Sequence, residues 1–197
     1  MTESYYKVRY GRDFNAGENL PVISTELDSV RAYQFEVHFY GLPFDRQAEG
    51  VDLTLAAKQV SPIGFITEDI ETRRVNDKVF YPGVASPEEL TITFDNLYLR
   101  ETASTLWDWF KSIYNPMTGD MTENSRPAGG NTPNFKALKL EIIMLDNAKN
   151  PHAVIECYGV YPKSYKPAEF NYQTNEFHTL EVVFRYDFMD QKTIARN

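Results

Sequence analysis

The side chains that most often do chemistry are sparse in this chain. His38, His152 and His178 are its histidines and Cys157 its one cysteine. A Cys–His pair can make a nucleophile, and His with Cys can hold zinc, but both need partners at defined spacing. No H-E-x-x-H run and no paired cysteines occur. No G-x-G is present and no glycine precedes a lysine, so the phosphate-cradling nucleotide loops are missing too. Carboxylates do pair, as Glu68-Asp69 and Glu88-Glu89. Adjacent residues on a strand point to opposite faces, so neither pair suits the two-carboxylate chemistry of a glycosidase. The sequence therefore predicts no catalytic residue, no metal ligand and no cofactor, and the protein is read as not an enzyme.

Bulk properties narrow the class. The 197 residues suit one domain, with 42% apolar and 24% charged residues, which excludes wholesale disorder. The formal charge of −8 has the wrong sign for gripping phosphates. One cysteine excludes an internal disulfide, which fits a reducing compartment. The N-terminus lacks the basic and apolar parts of a signal peptide, and no run approaches the ~20 apolar residues of a membrane span. A soluble protein is expected. Thirteen Tyr, 13 Phe and two Trp make it rich in residues that favour strands, cores and interfaces.

Residues 1–29 carry no persistent period and read as an N-terminal arm; residues 30–197 read as a single domain. Strand alternation is plain at Tyr33, Phe35, Val37 and Phe39. Val51, Leu53 and Leu55 alternate likewise and predict a second strand toward Val60. A charged ribbon follows over 68–81, predicted to turn at Asn76-Asp77, with a further turn at Pro82-Gly83. Leu90, Ile92 and Phe94 give another strand. The only convincing helix spans about 101–114, where Ala103, Leu106, Trp107, Phe110, Ile113 and Tyr114 form one stripe. Leu106, Trp107 and Phe110 are its predicted core anchors, with Trp109 off the stripe. Residues 115–134 read as a long loop, and 138–144 and 153–160 as strands. The segment 161–175 reads as a second loop, before a last strand at 180–188. About eight strands and one helix, without βαβ alternation, predict an antiparallel β-sandwich or barrel-like fold with one flanking helix.

One series of segments goes beyond fold class. It runs from Lys58-Gln59-Val60-Ser61-Pro62 through Ile70-Glu71-Thr72-Arg73-Arg74 to Tyr81-Pro82-Gly83. It continues through Leu90-Thr91-Ile92-Thr93-Phe94 into Leu106-Trp107-Asp108-Trp109-Phe110. Over about residues 30–188 this resembles the tail tube protein family of contractile-tailed bacteriophages. The resemblance implies a structural protein of the virion tail, assembled in the host bacterial cytoplasm. Its copies would form hexameric rings stacked into a hollow tube inside the sheath, through which DNA is ejected. The implied partners are further copies of the chain, the tail sheath protein and the baseplate or tube initiator. Viral DNA would pass through the lumen without specific binding. An acidic chain agrees, because each cation set on a phosphate would add attraction and slow sliding. The alternatives are a baseplate tube-initiator protein, or the tube protein of a related contractile injection or type VI secretion system.

The ribbon is the candidate subunit interface. Glu68, Asp69, Glu71, Arg73, Arg74, Asp77 and Lys78 crowd it, and so little apolar surface makes a two-stranded ribbon marginal alone. The resemblance also implies an intersubunit loop at this place.

Overall fold

The computed structural model describes residues 31–43, 47–121, 135–173 and 175–194. The arm expected over 1–29 and most of the loop expected over 115–134 lie outside them.

Alternating apolar residues generate two antiparallel sheets joined through one strand. Sheet I pairs β1 (Phe35–Tyr40) with β6 (Ala137–Leu145), β6 with β7 (Pro151–Pro167), and β7 with β9 (Phe188–Thr193). Sheet II pairs the second half of β7 with β8 (Thr179–Arg185), β8 with β5 (Leu90–Asp95), and β5 with the short edge strand β2 (Ala57–Val60). The inward residues Val37, Phe39, Leu140, Ile142 and Cys157 of sheet I are buried with Leu90, Ile92, Phe94, Leu180, Val182 and Phe184 of sheet II. Phe39 lies between the layers, its ring 6.3 Å from Phe94 and 5.9 Å from Phe184. The sandwich predicted from the strand pattern is thus present, and it is not closed into a barrel.

β7 serves both sheets because it bends at Gly159. Tyr158 still pairs with Phe188 in sheet I, whereas Tyr161 already pairs with Arg185 in sheet II. Gly159 has φ of 67°, where side chains are disfavoured, and an added Cβ would lie 2.1 Å from Asp187 Oδ2. Strands that change sheets at a sandwich corner do so through such irregularities. The bend also explains why Cys157 and Val160 are both buried, although simple alternation puts them on opposite faces.

Several expectations are corrected. Residues Gln47–Ala56 form a helix, α1, not a strand. Leu53 and Ala56, three apart, are buried, while Leu55 is 62% exposed, so the apparent two-residue period of Val51, Leu53 and Leu55 had no face to serve. Among the described residues, two helices therefore flank the sheets instead of one. Tyr161 and Tyr165, expected in a loop, belong to the 17-residue strand β7. The last expected strand breaks at Tyr186-Asp187 into β8 and β9.

The second helix, α2 (Thr102–Ile113), is where expected but rotated. Leu106 is buried as predicted, yet the core tryptophan is Trp109, which is fully buried. Trp107 is half-buried and stacks on Phe110 at 5.9 Å, beside Tyr165 at 5.6 Å. The core-facing stripe is Thr102, Thr105, Leu106 and Trp109. Two threonines on it disguised the apolar face, which moved the apparent stripe around the helix by about one residue, or ~100°.

Candidate assembly surfaces

The ribbon is longer than its charged centre suggested. β3 (Phe65–Arg74) and β4 (Asp77–Pro87) pair only with each other, and every residue of β3 is exposed. At about 3.4 Å per residue its 10-residue strand reaches roughly 30 Å. The loop at its tip is Val75-Asn76, one residue earlier than predicted, because Arg74 pairs with Asp77. Val75 takes φ of 52°, as a two-residue hairpin loop demands.

Pro82-Gly83 is not a turn. It lies inside β4, where Gly83 and Val84 stand opposite the single residue Glu68. This is a β-bulge, and glycine is required there because a Cβ would meet the Glu68 carbonyl oxygen at 2.6 Å.

The register sorts the ribbon's side chains. Asp69, Glu71, Arg73 and Lys78 share one face, where Glu71 receives Arg73 at 3.4 Å and Lys78 at 3.0 Å. Arg74 and Asp77 sit opposite each other at the tip of the other face, and Glu68 faces the bulge. That other face also carries Ile66, Ile70, Val79, Tyr81 and Val84, with Thr72 and Ser86 among them. Of these, Ile66 is 57% exposed, Ile70 55% and Val84 74%. The seven charges thus divide four to three between the faces; Phe65 and Phe80 share the first, and the second carries the longer apolar row. Sequence reading missed Ile66 and Val84. The signal was an alternation through Ile66, Glu68 and Ile70 on one strand, broken on the other by the bulge.

The root of the ribbon is fixed. Tyr186 donates its hydroxyl to the Gly64 carbonyl at 3.0 Å, and its ring meets Phe65 edge-on at 6.4 Å. Arg185 bonds Glu89 at 2.8 Å, and Lys163 joins the same carboxylate. Glu89 titrates below its ordinary range, held there first by Lys163. The ribbon is anchored at its root, and among the described residues β3 is exposed along its length.

A second surface is the outer face of sheet I, which the strand register arranges as a grid. Glu36, His38 and Tyr40 lie beside Ile143, Glu141 and Lys139, then Val154, Glu156 and Tyr158, then Lys192, Asp190 and Phe188. Lys139 bonds Glu141 at 2.5 Å and lies 3.5 Å from Glu156. Lys192 also bonds Glu156, and Tyr158 donates to it at 2.9 Å. These donors, Lys192 first, hold the Glu156 carboxyl down at about 2. Three carboxylates, Glu141, Glu156 and Asp190, thus meet two lysines, and both lysines are engaged. This network was not singled out from the sequence, although the alternation of Lys139 with Glu141 and of Glu156 with Tyr158 marked an exposed polar face.

Elsewhere the side chains considered for chemistry stay apart. Cys157 is in the core, where burial pushes its thiol up to about 12, the opposite of an activated nucleophile. Among the described residues no group of three or more His, Cys, Asp or Glu is placed to hold a metal, and no helix is long and apolar enough to cross a membrane.

None of the curated proteins matches the chain. Among solved structures, the fold is similar to a chain of the anti-feeding prophage baseplate, with a TM-score of 0.63 and 13% identity over 84% of this chain and 97% of that one. It is similar to a chain of the anti-feeding prophage tube-terminating cap, with a TM-score of 0.62 and 14% identity over 85% and 93%. A chain from an extracellular contractile injection system, in the extended sheath–tube complex, overlays with a TM-score of 0.61 and 15% identity over 84% and 93%. Each shares the antiparallel sandwich. Residues 31–190, most of the chain and every sandwich strand but the second half of β9, match the T4-like virus tail tube protein gp19, and the protein belongs to that family.

Proposed function

We propose that the chain is the tube subunit of a contractile injection machine and assembles as rings of copies stacked into a hollow inner tube. The observation that carries this reading is the ribbon. It is anchored at its root, yet presents Ile66, Ile70 and Val84 to solvent, where none of the described residues covers them. Isolated two-stranded ribbons are marginal in water, and apolar patches on such an arm mark contact with another molecule. Glu68, Asp69, Glu71, Arg73, Arg74, Asp77 and Lys78 accordingly belong to a subunit interface, where mixed charge sets register between identical copies. The outer face of sheet I, with its lysines already neutralised, suits the wall of a passage, since it offers a moving polyanion no unengaged cation.

Two machines could use such a tube: a phage tail that delivers DNA, or a headless injection particle that delivers another cargo. The second is favoured, because the similar folds above come from the anti-feeding prophage and from an extracellular contractile injection system. Sheath and baseplate proteins are the expected partners in either.

Electron microscopy of the purified chain tests the assembly. Rings or hollow rods are expected, and a monomer at the highest soluble concentration, with no rods on ageing, overturns the reading. Particles isolated from the source organism separate the two machines: headless particles without nuclease-protected DNA support the favoured one, and DNA-filled heads the other.

A further inference from the structure

Two rows of side chains cross all four strands of sheet I on its outer face. One holds Tyr40, Lys139, Tyr158 and Phe188, and the next holds His38, Glu141, Glu156 and Asp190.

The first row is aromatic. Tyr40 is 42% exposed and Phe188 57%. The Phe188 ring stacks on Tyr158 at 4.9 Å, with 18° between the rings. The Lys139 ammonium lies 5.1 Å from the centre of the Tyr40 ring. Rings already held by neighbours lose little freedom when covered.

The second row is acidic. With Glu36 in the row beyond, the face sets four carboxylates against Lys139 and Lys192, so negative charge is in surplus. Both lysines are already bonded to carboxylates, and His38 lies 3.1 Å from Glu36.

Spacing decides what fits. Rows on one face of a strand repeat every two residues, about 6.8 Å. An extended polypeptide has the same repeat. Laid along these strands, it sets side chains i and i+2 on the aromatic and the acidic row. An apolar side chain at i then meets a ring, and a basic one at i+2 meets a carboxylate. Duplex DNA suits neither row, because its bases are stacked inside and its phosphates would face carboxylates.

We propose that this face binds extended polypeptide whose apolar and basic side chains stand two residues apart. The inference rests on the reading of the face as the wall of a passage, and it names the class of cargo that the wall takes. Hydrophobic contact is non-directional, so a chain held in this way can advance without breaking a fixed set of hydrogen bonds.

Fluorescence anisotropy with the full-length chain tests it. The probe is a labelled peptide of three Phe-Ser-Lys-Ser repeats. It is compared with Ser-Ser-Lys-Ser and Phe-Ser-Glu-Ser peptides of equal length and with a DNA duplex. The first peptide is expected to bind, the other two about fivefold more weakly or worse, as for loss of one exposed side-chain contact per repeat, and the duplex not at all. Phe188→Ser and Asp190→Asn alter exposed side chains, and circular dichroism checks that each variant folds. Both are expected to weaken binding of the first peptide severalfold. Phe177→Ser, which removes a 92% exposed ring outside sheet I, is expected to leave it unchanged. Equal binding of all three peptides, binding of the duplex as tight as that of the first peptide, or full binding by Phe188→Ser overturns the inference while the tube reading stands. Anisotropy reads the contact whether or not rods form, so a chain that binds the first peptide with this selectivity and never assembles keeps the binding face and overturns the tube reading.

Discussion

The indole N–H of Trp109 donates to the main-chain carbonyl of Phe135, 2.9 Å away. The bond ties the core face of α2 to the chain just before β6. The same ring packs 5.9 Å from Phe39 and 5.5 Å from Phe184, so one side chain joins a helix, both sheets and the entry to β6. A buried tryptophan normally needs such a partner for its polar edge.

Trp109→Ala is therefore expected to cost ~3–5 kcal/mol, the range for a large buried aromatic. Trp107→Ala, which removes a half-buried ring from Phe110 and Tyr165, is expected to cost about 1 kcal/mol. Urea denaturation of the two variants measures the difference. Equal losses would contradict the helix phase described above.

The bend in β7 gives a second prediction, with an internal control. Gly159 and Gly119 both have positive φ, at 67° and 76°. Alanine at either position costs about 1–2 kcal/mol from backbone conformation alone. At Gly119 nothing lies within 4 Å of the new methyl, whereas at Gly159 it would meet the Asp187 carboxylate. That carboxylate is held by Lys136 at 2.7 Å. Gly159→Ala should thus be clearly the more destabilised of the two, by urea midpoint or by Tm. Equal destabilisation would mean that Asp187 moves aside without cost.

How much of this could be read from sequence follows from what each residue must satisfy. The strands of sheets I and II were legible because one face of each is buried, which writes a two-residue period at Phe35–Phe39 and Leu90–Phe94. α1 was not, since its Leu53 and Leu55 mimic that period while only Leu53 is buried. Trp109 was missed because Thr102 and Thr105 share its face. The ribbon's centre was legible from its charge. Its apolar face was not, because a face is defined by pairing across the bulge at Gly83, and pairing is a property of two strands.

Glu156 makes stability depend on acid. Its carboxyl titrates at about 2 in the folded protein against an ordinary value of 4.5. The folded state thus binds the proton less readily than the unfolded chain. The stabilisation is complete above the ordinary value and is lost as pH falls through the interval down to about 2. Glu156→Gln should lower stability at neutral pH, and its deficit relative to the parent should shrink as the solution is acidified through that interval. Urea denaturation across a pH series measures this. A deficit that stays constant with pH would assign the effect of the substitution to packing instead of charge.

The last prediction separates the ribbon from the fold that bears it. Gly83→Val places a branched side chain where even a Cβ lies 2.6 Å from the Glu68 carbonyl oxygen. The obstacle is main chain, so no rotamer relieves it, and the bulge must open or the pairing must slip. A slip by one residue turns side chains to the opposite face, which would break up the row formed by Ile66, Ile70, Tyr81 and Val84. The core does not reach this far, since its buried residues lie in the sandwich and its two helices. Urea denaturation should therefore change by no more than about 0.5 kcal/mol, as for other substitutions remote from the core. Hydrogen exchange across residues 65–87 should rise, and tube assembly should fail. Tubes of normal length from Gly83→Val, with exchange raised in the ribbon, would show that its apolar face contributes nothing to the contact between copies.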